Sequence, residues 1–455
     1  MLAAVLLATI ALPITLTGAS VALPRIGADL DADLAAVQWV VNGYNATFAS
    51  FMLAAGSLAD VLGRRRVFAT GMAIFTVGGL ASAFAGDIVL LDALRALAGI
   101  GAAAGATGAS ALLAQTFHGR ARARAFGLFG VALGVGLAFG PSIAGALIEL
   151  FGWRAVFVAP AVVGAVVLLL VPLLPSGRGE QTGRLDWAGA ATFTGALLLV
   201  IFAFVQGPDF GWGHPLILAA FVAAVALLGL FVRVERRHPA PMFDLALLAS
   251  PRFRGVCLAA AIIVMVLVPL LVYLPSYFTT VLGMSAGGAG ATLILLTAPT
   301  LVLPLVTGVI TRRGVSPYAV VVVSVAVVAA GVAWLTTIGP DSTAATLAAP
   351  LLTVGTGVGI SIGLLDALAV GSVDPARAGI ASGMVNTARV AGETVAIAVV
   401  GSVLATTTAG RLADPGFTGG LHAVLWTMAG AAALCAISAA SLTRSRPVPV
   451  SASVG

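Results

Sequence analysis

Apolar stretches of about 20 residues follow one another along this chain almost from end to end, broken only by short segments rich in Arg, Gly and Pro. Each stretch can cross about 30 Å of hydrocarbon as an α-helix. In that medium every backbone N–H and C=O must be satisfied within a helix or around a closed barrel. Barrel strands alternate apolar and polar residues over about ten positions, and the run from Ala161 to Leu174 does not alternate. Only 9% of the 455 residues are charged, against about 25% in a soluble domain. The predicted fold class is therefore an all-α integral membrane protein.

Read against the Arg, Gly and Pro punctuation, the apolar runs give fourteen candidate spans: 2–23, 37–59, 67–86, 88–116, 125–148, 155–175, 187–206, 214–232, 255–280, 286–311, 317–338, 343–372, 378–408 and 420–442. All 23 basic residues are arginine. With both termini in the cytoplasm, eighteen of them fall in loops on that side. Arg25, Arg154 and Arg411 fall outside, and Arg95 and Arg389 fall within spans. Adding or dropping one span would scramble every later loop, so the split favours fourteen over thirteen. A hairpin dipping into the membrane over 187–232, in place of two full spans, preserves the same parity. The outer loops carry acids, beginning with Asp29, Asp31 and Asp33. The first apolar run starts at Met1 with no basic segment ahead of it, which suits a first span better than a cleaved signal peptide. The expected location is the cell membrane, with multiple passes.

The net charge of +6 does not point to nucleic acid, because the arginines sit in short loops and no soluble basic domain carries them. Cys257 and Cys435 lie in apolar spans and suggest neither a disulfide framework nor a metal site. His118, His214 and His238 fall in loops and His422 opens the last span. No metal-spaced His/Cys set, phosphate loop or Walker A stretch is present, so the sequence calls for no metal and no cofactor and argues against an enzyme or an ATP-driven pump.

Four stretches carry more specific information. GSLADVLGRRRVF, Gly56 to Phe68, joins the second and third spans as Gly56-x3-Asp60-x2-Gly63-Arg64-Arg65-Arg66. The arginines anchor the loop at an anionic headgroup layer. Gly56 is expected to let a neighbouring helix approach, Gly63 to turn the chain, and Asp60 to sit against a helix N-terminus or an arginine. In the fourth span LDALRALAGIGAA places Arg95 at membrane depth, followed by Gly99 and Gly101. Such an arginine faces a partner or water, which makes it a functional candidate; the alternative is a pair with Asp92 one turn away. In the fifth span GVGLAFGPSIAG sets Gly136, Gly140, Pro141 and Gly145 at spacings that favour close helix packing, with a kink expected at the proline. In the thirteenth span Ser382, Asn386, Arg389 and Glu393 are 4, 3 and 4 residues apart and share one helical face. That face should line a cavity or pack on other helices.

These stretches resemble the major facilitator superfamily, and within it the fourteen-helix drug:proton antiporters of the EmrB/QacA type. The loop after the second span matches the superfamily signature, and Arg95 to Gly101 is similar to its R-x-x-Q-G-x-G pattern with Ala98 in the Gln position. The fifth span looks like the antiporter motif of drug exporters. VERRHPAPMFDLALLASPRFRG and LVYLPSYFTTVLGMSAGGAG resemble the loop and ninth span of the fourteen-helix family. In the first span ITLTGASVALP retains Thr17 and Ala22-Leu23-Pro24 but has Thr15 where the family's acid stands and Ser20 where its Asn stands.

The resemblance implies a major facilitator fold. A six-helix bundle over 1–175 and another over 241–455 flank a two-helix insert and linker over 176–240. Gly308-x3-Arg312-Arg313-Gly314 is a degenerate repeat of the opening signature. It also implies that the Asp60 to Arg66 cluster latches the halves in one orientation.

The implied function is secondary active export of amphipathic small molecules by proton antiport, with the substrate, protons and the lipid bilayer as partners, no nucleic acid, and the monomer as the working unit. Glu393 or Asp366 takes the proton-coupling role left by Thr15. The competing readings are an ion pair of Glu393 with Arg389 and a hydrated Asp366 near a helix end. In the twelfth span Gly359, Gly363 and Asp366 form a stripe of small residues ending in that acid. Tyr44, Asn45, Tyr273 and Tyr277 are candidate cavity contacts, or else interface and core residues. Three other functions stay open: an organic-anion carrier using Arg95 and Arg389, an uncoupled facilitator, and a non-transporting membrane sensor.

Overall fold

The structure, a computed structural model, describes residues 1–175, 186–238, 243–373, 378–408 and 416–443. Among them are fifteen α-helices and no strand. They are α1 (Leu2–Asp29), α2 (Leu34–Leu62), α3 (Arg64–Ala83), α4 (Ile88–Thr116), α5 (Gly119–Phe151), α6 (Ala155–Leu170), α7 (Trp187–Phe210), α8 (Pro215–Glu235), α9 (Pro251–Thr280), α10 (Ala286–Arg312), α11 (Pro317–Leu335), α12 (Ala344–Ser361), α13 (Leu364–Gly371), α14 (Ala378–Thr407) and α15 (Gly416–Thr443). Among the described residues thirteen stretches are long and apolar enough to cross a membrane, with α12 and α13 counted together. α2 is equally long, at 29 residues, but carries Gln38, Asn42 and Asn45 in its first half.

The helices begin where short polar side chains satisfy orphan backbone N–H groups. Asp33 accepts from Ala36, Asp87 from Leu90, Asp186 from Gly189 and Ser285 from Gly288. Thr343 and Thr346 form a reciprocal capping box at the start of α12. Pro215, Pro251 and Pro317 open α8, α9 and α11, where a missing N–H is harmless.

In the first half α1 packs on α5 and α6, α2 on α4, and α3 on α4 and α6. In the second, α9 packs on α14 and α15, α10 on α12, and α11 on α12 and α15. The halves meet through α5 with α10, α2 with α14, and α1 with α9. The helix α7 lies against both α2 and α14, with Leu197, Ile201 and Val205 meeting Ala46, Ala49, Val390 and Ala398. Thr194 also donates to the Ser50 carbonyl at 2.6 Å. α8 stacks on α7 and exposes Leu218, Val222 and Val225.

One expected span, matched by the stretch Ala344–Gly371, has an internal break. The stretch 343–372 is two helices, broken at Ile362 and Gly363. Gly363 has φ of +81°, a conformation that L side chains disfavour, and a Cβ added there would meet nothing within 4 Å. It is a hinge and not part of a packing stripe. Gly359 does pack closely, since a Cβ there would lie 2.7 Å from the Pro299 carbonyl oxygen. α5 runs unbroken through Pro141.

Candidate functional site

The loops divide the molecule into two ends, one carrying Arg64, Arg65, Arg66, Arg312 and Arg313, the other carrying Asp29, Asp33, Asp87 and Arg154. They are called here the arginine-rich and arginine-poor ends. Among the described residues, five hydrogen bonds that use a side chain join the first half to the second. Ser20 donates to Leu271 O at 3.0 Å, Gln38 to Gly401 O at 2.9 Å, Ser142 to Gly290 O at 2.8 Å and Thr297 to Ala138 O at 3.1 Å. The Glu149 carboxylate accepts from Gly287 N at 2.8 Å. Followed along their helices, all five fall in the half of the molecule toward the arginine-poor end.

The glycines of α5 explain how that end closes. A Cβ at Gly136 would lie 2.6 Å from Ile10 O, and one at Gly140 would collide with the Thr17 hydroxyl, so α5 sits directly on α1. A Cβ at Gly145 would run into Ala286 and Gly287, and one at Gly290 on α10 would lie 2.5 Å from Pro141 O. One helix thus contacts its own half and the opposite half through the same run of small residues.

Toward the arginine-rich end the polar face of α14 is accessible: Asn386 is exposed, and Ser382 and Glu393 are partly buried. Arg389 does not pair with Glu393. Its guanidinium reaches across to Asp366 in the first turn of α13, at 2.8 Å, with the two side chains 18% and 46% exposed. The hinge at Gly363 puts Asp366 there. Glu393 is left about midway along α14, within electrostatic reach of Tyr44 on α2 and of Arg389.

Arg95 is fully buried inside the first half. Its Nε donates to Val40 O at 2.9 Å, and its guanidinium lies over Tyr44 at 4.3 Å and Phe157 at 5.3 Å. Among the described residues neither terminal nitrogen has a hydrogen-bond partner, and neither does Asp92 Oδ1, so the alternative pair with Asp92 does not form. Ring faces stabilise the cation in place of a carboxylate. As a substrate contact Arg95 is out of reach in this conformation.

The other sequence candidates separate by position. Tyr44 is buried, donating to Leu12 O at 3.4 Å and stacking on Phe48. Asn45 is fully buried on the α2 face toward the second half. Tyr273 donates to Ile397 O at 2.9 Å. Tyr277 bonds the Thr418 hydroxyl and packs edge-on against Phe417, which places it in the second-half core and away from any cavity surface. Thr15 turns its hydroxyl back to Ala11 O at 3.1 Å.

In the opening signature, Gly63 turns the chain with φ of +97°, and Gly314 does the same after α10 with φ of +95°. Gly56 does not serve a close helix approach in this conformation, because a Cβ there would meet nothing within 4 Å; the same holds at Gly308. Arg64 donates to Ala111 O on α4 at 3.4 Å. Arg66, on the first turn of α3, is exposed. Asp60 lies in the last turn of α2, and its side chain is outside the described set. A lateral groove of about 360 Å³ runs beside this loop, lined by Phe51, Leu58, Arg66, Thr70, Ile74 and Ile100. All its walls are first-half helices, so it is separate from the α14 face.

The sequence reading passed over Gln38 and Asn42. Both are buried and stand on the same α2 face as Asn45. Their spacing of 4 and 3 within a long span was the available signal, the same pattern that exposed the α14 face.

The major facilitator superfamily model matches residues 5–397. A probable actinorhodin transporter of Streptomyces coelicolor is 33% identical over 396 residues, covering 84% of this chain and 68% of that protein. The multidrug resistance protein Stp of Mycobacterium tuberculosis is 30% identical over 389 residues, covering 85% and 72%. The puromycin resistance protein pur8 of Streptomyces alboniger is 32% identical over 416 residues, covering 88% and 80%. Among solved structures, the POT family transporter PepTSo superposes with a TM-score of 0.70 at 15% identity, over 97% of each chain, a likeness of fold. The matched family, the relatives and the helical architecture agree: this chain is a multi-pass membrane transporter and belongs to the major facilitator superfamily.

Proposed function

We propose that this protein exports amphipathic small molecules, antibiotics among them, in exchange for protons, as a fourteen-span member of the EmrB/QacA type. The spans are the thirteen stretches above together with α2. The arginine-rich end faces the cytoplasm, where anionic lipids hold it. Both termini are then cytoplasmic, and the membrane is the cell membrane. The observation that carries the reading is the one-sided closure: every described side-chain bond between the halves lies toward the arginine-poor end, while the Ser382 to Glu393 face is accessible from the other. That is an inward-facing state of an alternating-access transporter. The relatives named for antibiotic and multidrug resistance supply the substrate class.

Glu393 is the coupling acid in this mechanism. Asp366 is engaged by Arg389, whereas Glu393 has no ion pair among the described residues and stands where the halves meet. Glu393 takes up a proton from one side and gives it to the other as the two conformations change which side it faces. Coupling is linkage: the proton biases the two conformations only through its unequal affinity for them. The open space at Gly56 fits this state, since the arginine-rich ends are apart and would meet in the outward-facing one. An organic-anion carrier fits less well, because Arg95 is sealed beneath Tyr44 and Arg389 is already neutralised.

The test uses inside-out vesicles energised to an acidic interior, with ethidium, puromycin and a neutral hydroxyanthraquinone added in turn while a fluorescent probe follows interior pH. At least one compound should release protons, and Glu393→Gln should abolish the release with expression intact. Compound movement with no proton release would make the protein an uncoupled facilitator, with Thr15 as the reason.

A further inference from the structure

Three amide side chains on α2 are not explained by packing. Gln38, Asn42 and Asn45 share one face of the helix, and each is at most 1% exposed. Gln38 Nε2 holds the Gly401 carbonyl, but among the described residues Gln38 Oε1 and both side-chain polar atoms of Asn45 make no hydrogen bond, and Asn42 has beside it only the Tyr273 hydroxyl, which donates to Ile397 O. Burying an amide without a partner is strongly unfavourable. Polar atoms in such settings are completed by water.

The three amides form a line with direction. Gln38 is four residues from the start of α2 at the arginine-poor end, and Asn45 lies about 10 Å deeper at 1.5 Å per residue. On α14 the Gly401 carbonyl bound by Gln38 and the Glu393 side chain are eight residues apart, about 12 Å. Asn45 and Glu393 therefore reach similar depth on two helices that pack together. Gly401 makes the approach possible, since a Cβ there would lie 2.7 Å from Gln38 Oε1 and collide with the Tyr273 hydroxyl.

We propose that Gln38, Asn42 and Asn45 hold the water path by which a proton from the arginine-poor side reaches Glu393. The inference rests on the reading of Glu393 as the coupling acid. A hydronium at the outer mouth passes its proton along the held waters, each accepting one proton and releasing one, until the Glu393 carboxylate takes it. The amides change neither charge nor protonation; they orient water, so they are positioning residues. Among the described residues, few other titratable groups face this acid. Tyr44 stands on α2, with Arg95 and Asp92 behind it on α4. α9 brings Tyr273, and Cys257 near Arg389. On α14 itself is Arg389, held by Asp366 of α13. His422 of α15 is turned to Ile338 O, and α7 offers Thr194 and apolar side chains to the seam.

The test separates proton-driven transport from exchange, in the same vesicles and with the same three compounds. Replacing Asn42 and Asn45 together by Leu should lower acid-driven uptake at least tenfold and shift its pH profile, while gradient-free exchange of labelled compound falls far less. Replacing both by Ser, which still holds water, should restore acid-driven uptake to within about threefold of the parent. Gln38→Leu, at the mouth, should act in the same direction but more weakly, and serves as a second variant if the leucine pair does not fold. A normal acid-driven rate in the leucine pair or in Gln38→Leu, with Glu393→Gln inactive, would overturn the path alone. A normal acid-driven rate in Glu393→Gln would overturn the coupling reading beneath it, whatever the leucine pair does.

Discussion

Two arginines lie at membrane depth, one in each half, and their surroundings differ in almost every respect. Arg95 has no exposed surface, one backbone acceptor and two aromatic faces, all within the first half. Arg389 keeps 18% of its side chain exposed and pairs at 2.8 Å with an acid from the other side of a helix break. A guanidinium held by rings and a carbonyl cannot shift without losing all of them at once, so Arg95 rivets α2, α4 and α6 into one body. A guanidinium held by a single half-exposed carboxylate can change partners at small cost. The difference teaches that an intramembrane arginine does not mark substrate contact by itself; what holds it decides whether it can take part in a moving site.

The largest effect should therefore come from Arg95. Arg95→Ala removes the stacked cation and leaves a hole between Tyr44 and Phe157, at an expected loss on the order of 3 kcal/mol. Thermal unfolding of the purified protein should shift more for this variant than for any at Arg389. Arg95→Lys should recover less than half of the loss, because an ammonium cannot stack as a plane. A melting curve for Arg95→Ala equal to that of Arg389→Ala would break the comparison.

A smaller effect, and one on transport more than on stability, is expected at the second arginine. Arg389→Asp should lower transport about tenfold by placing like charges together, and adding Asp366→Arg should recover a good part of it, since a partly exposed pair contributes only about 1 kcal/mol and its geometry is forgiving. Vesicle transport of the two single variants and the swap measures this directly. No recovery in the swap would mean that Arg389 is fixed in its role as firmly as Arg95.

Much of this contrast was hidden in the sequence, for a physical reason. Apolar runs and the arginine distribution mark the helices because hydrocarbon thickness imposes a length and headgroups impose a charge pattern. The α14 face was legible because 4-3-4 spacing is local. The partner of Arg389 was not, because Asp366 is brought to it by a turn at Gly363, and a glycine inside an oily run reads equally as a packing surface or a hinge. Gly56 failed for the related reason that close packing depends on which conformation the halves adopt. The α2 amides lay between these cases. Their spacing was visible, but only full burial with too few partners, none for Asn45 among the described residues, distinguishes them from ordinary interface polar residues.

Gly363→Ala tests the helix break that brings Asp366 to Arg389. The position has open space, so the substitution acts only through its φ of +81° and should cost about 1 kcal/mol. That is less than the loss at Arg95, with transport reduced in proportion to how far Asp366 moves from Arg389. The smallest effect belongs to Glu149→Gln, where an exposed carboxylate meets the N-terminus of α10. Neutralising it removes a favourable charge from the helix end and weakens one of five bonds that close the arginine-poor side, so transport should change by less than about twofold. Its sign is more informative than its size. If the five contacts hold the molecule open toward the arginine-rich end, a cysteine placed at exposed Asn386 should react more slowly with a polar thiol reagent once Glu149 is Gln. Faster labelling would mean that Glu149 stabilises the opposite state and that Arg389 spends its time in a closed site, as Arg95 does.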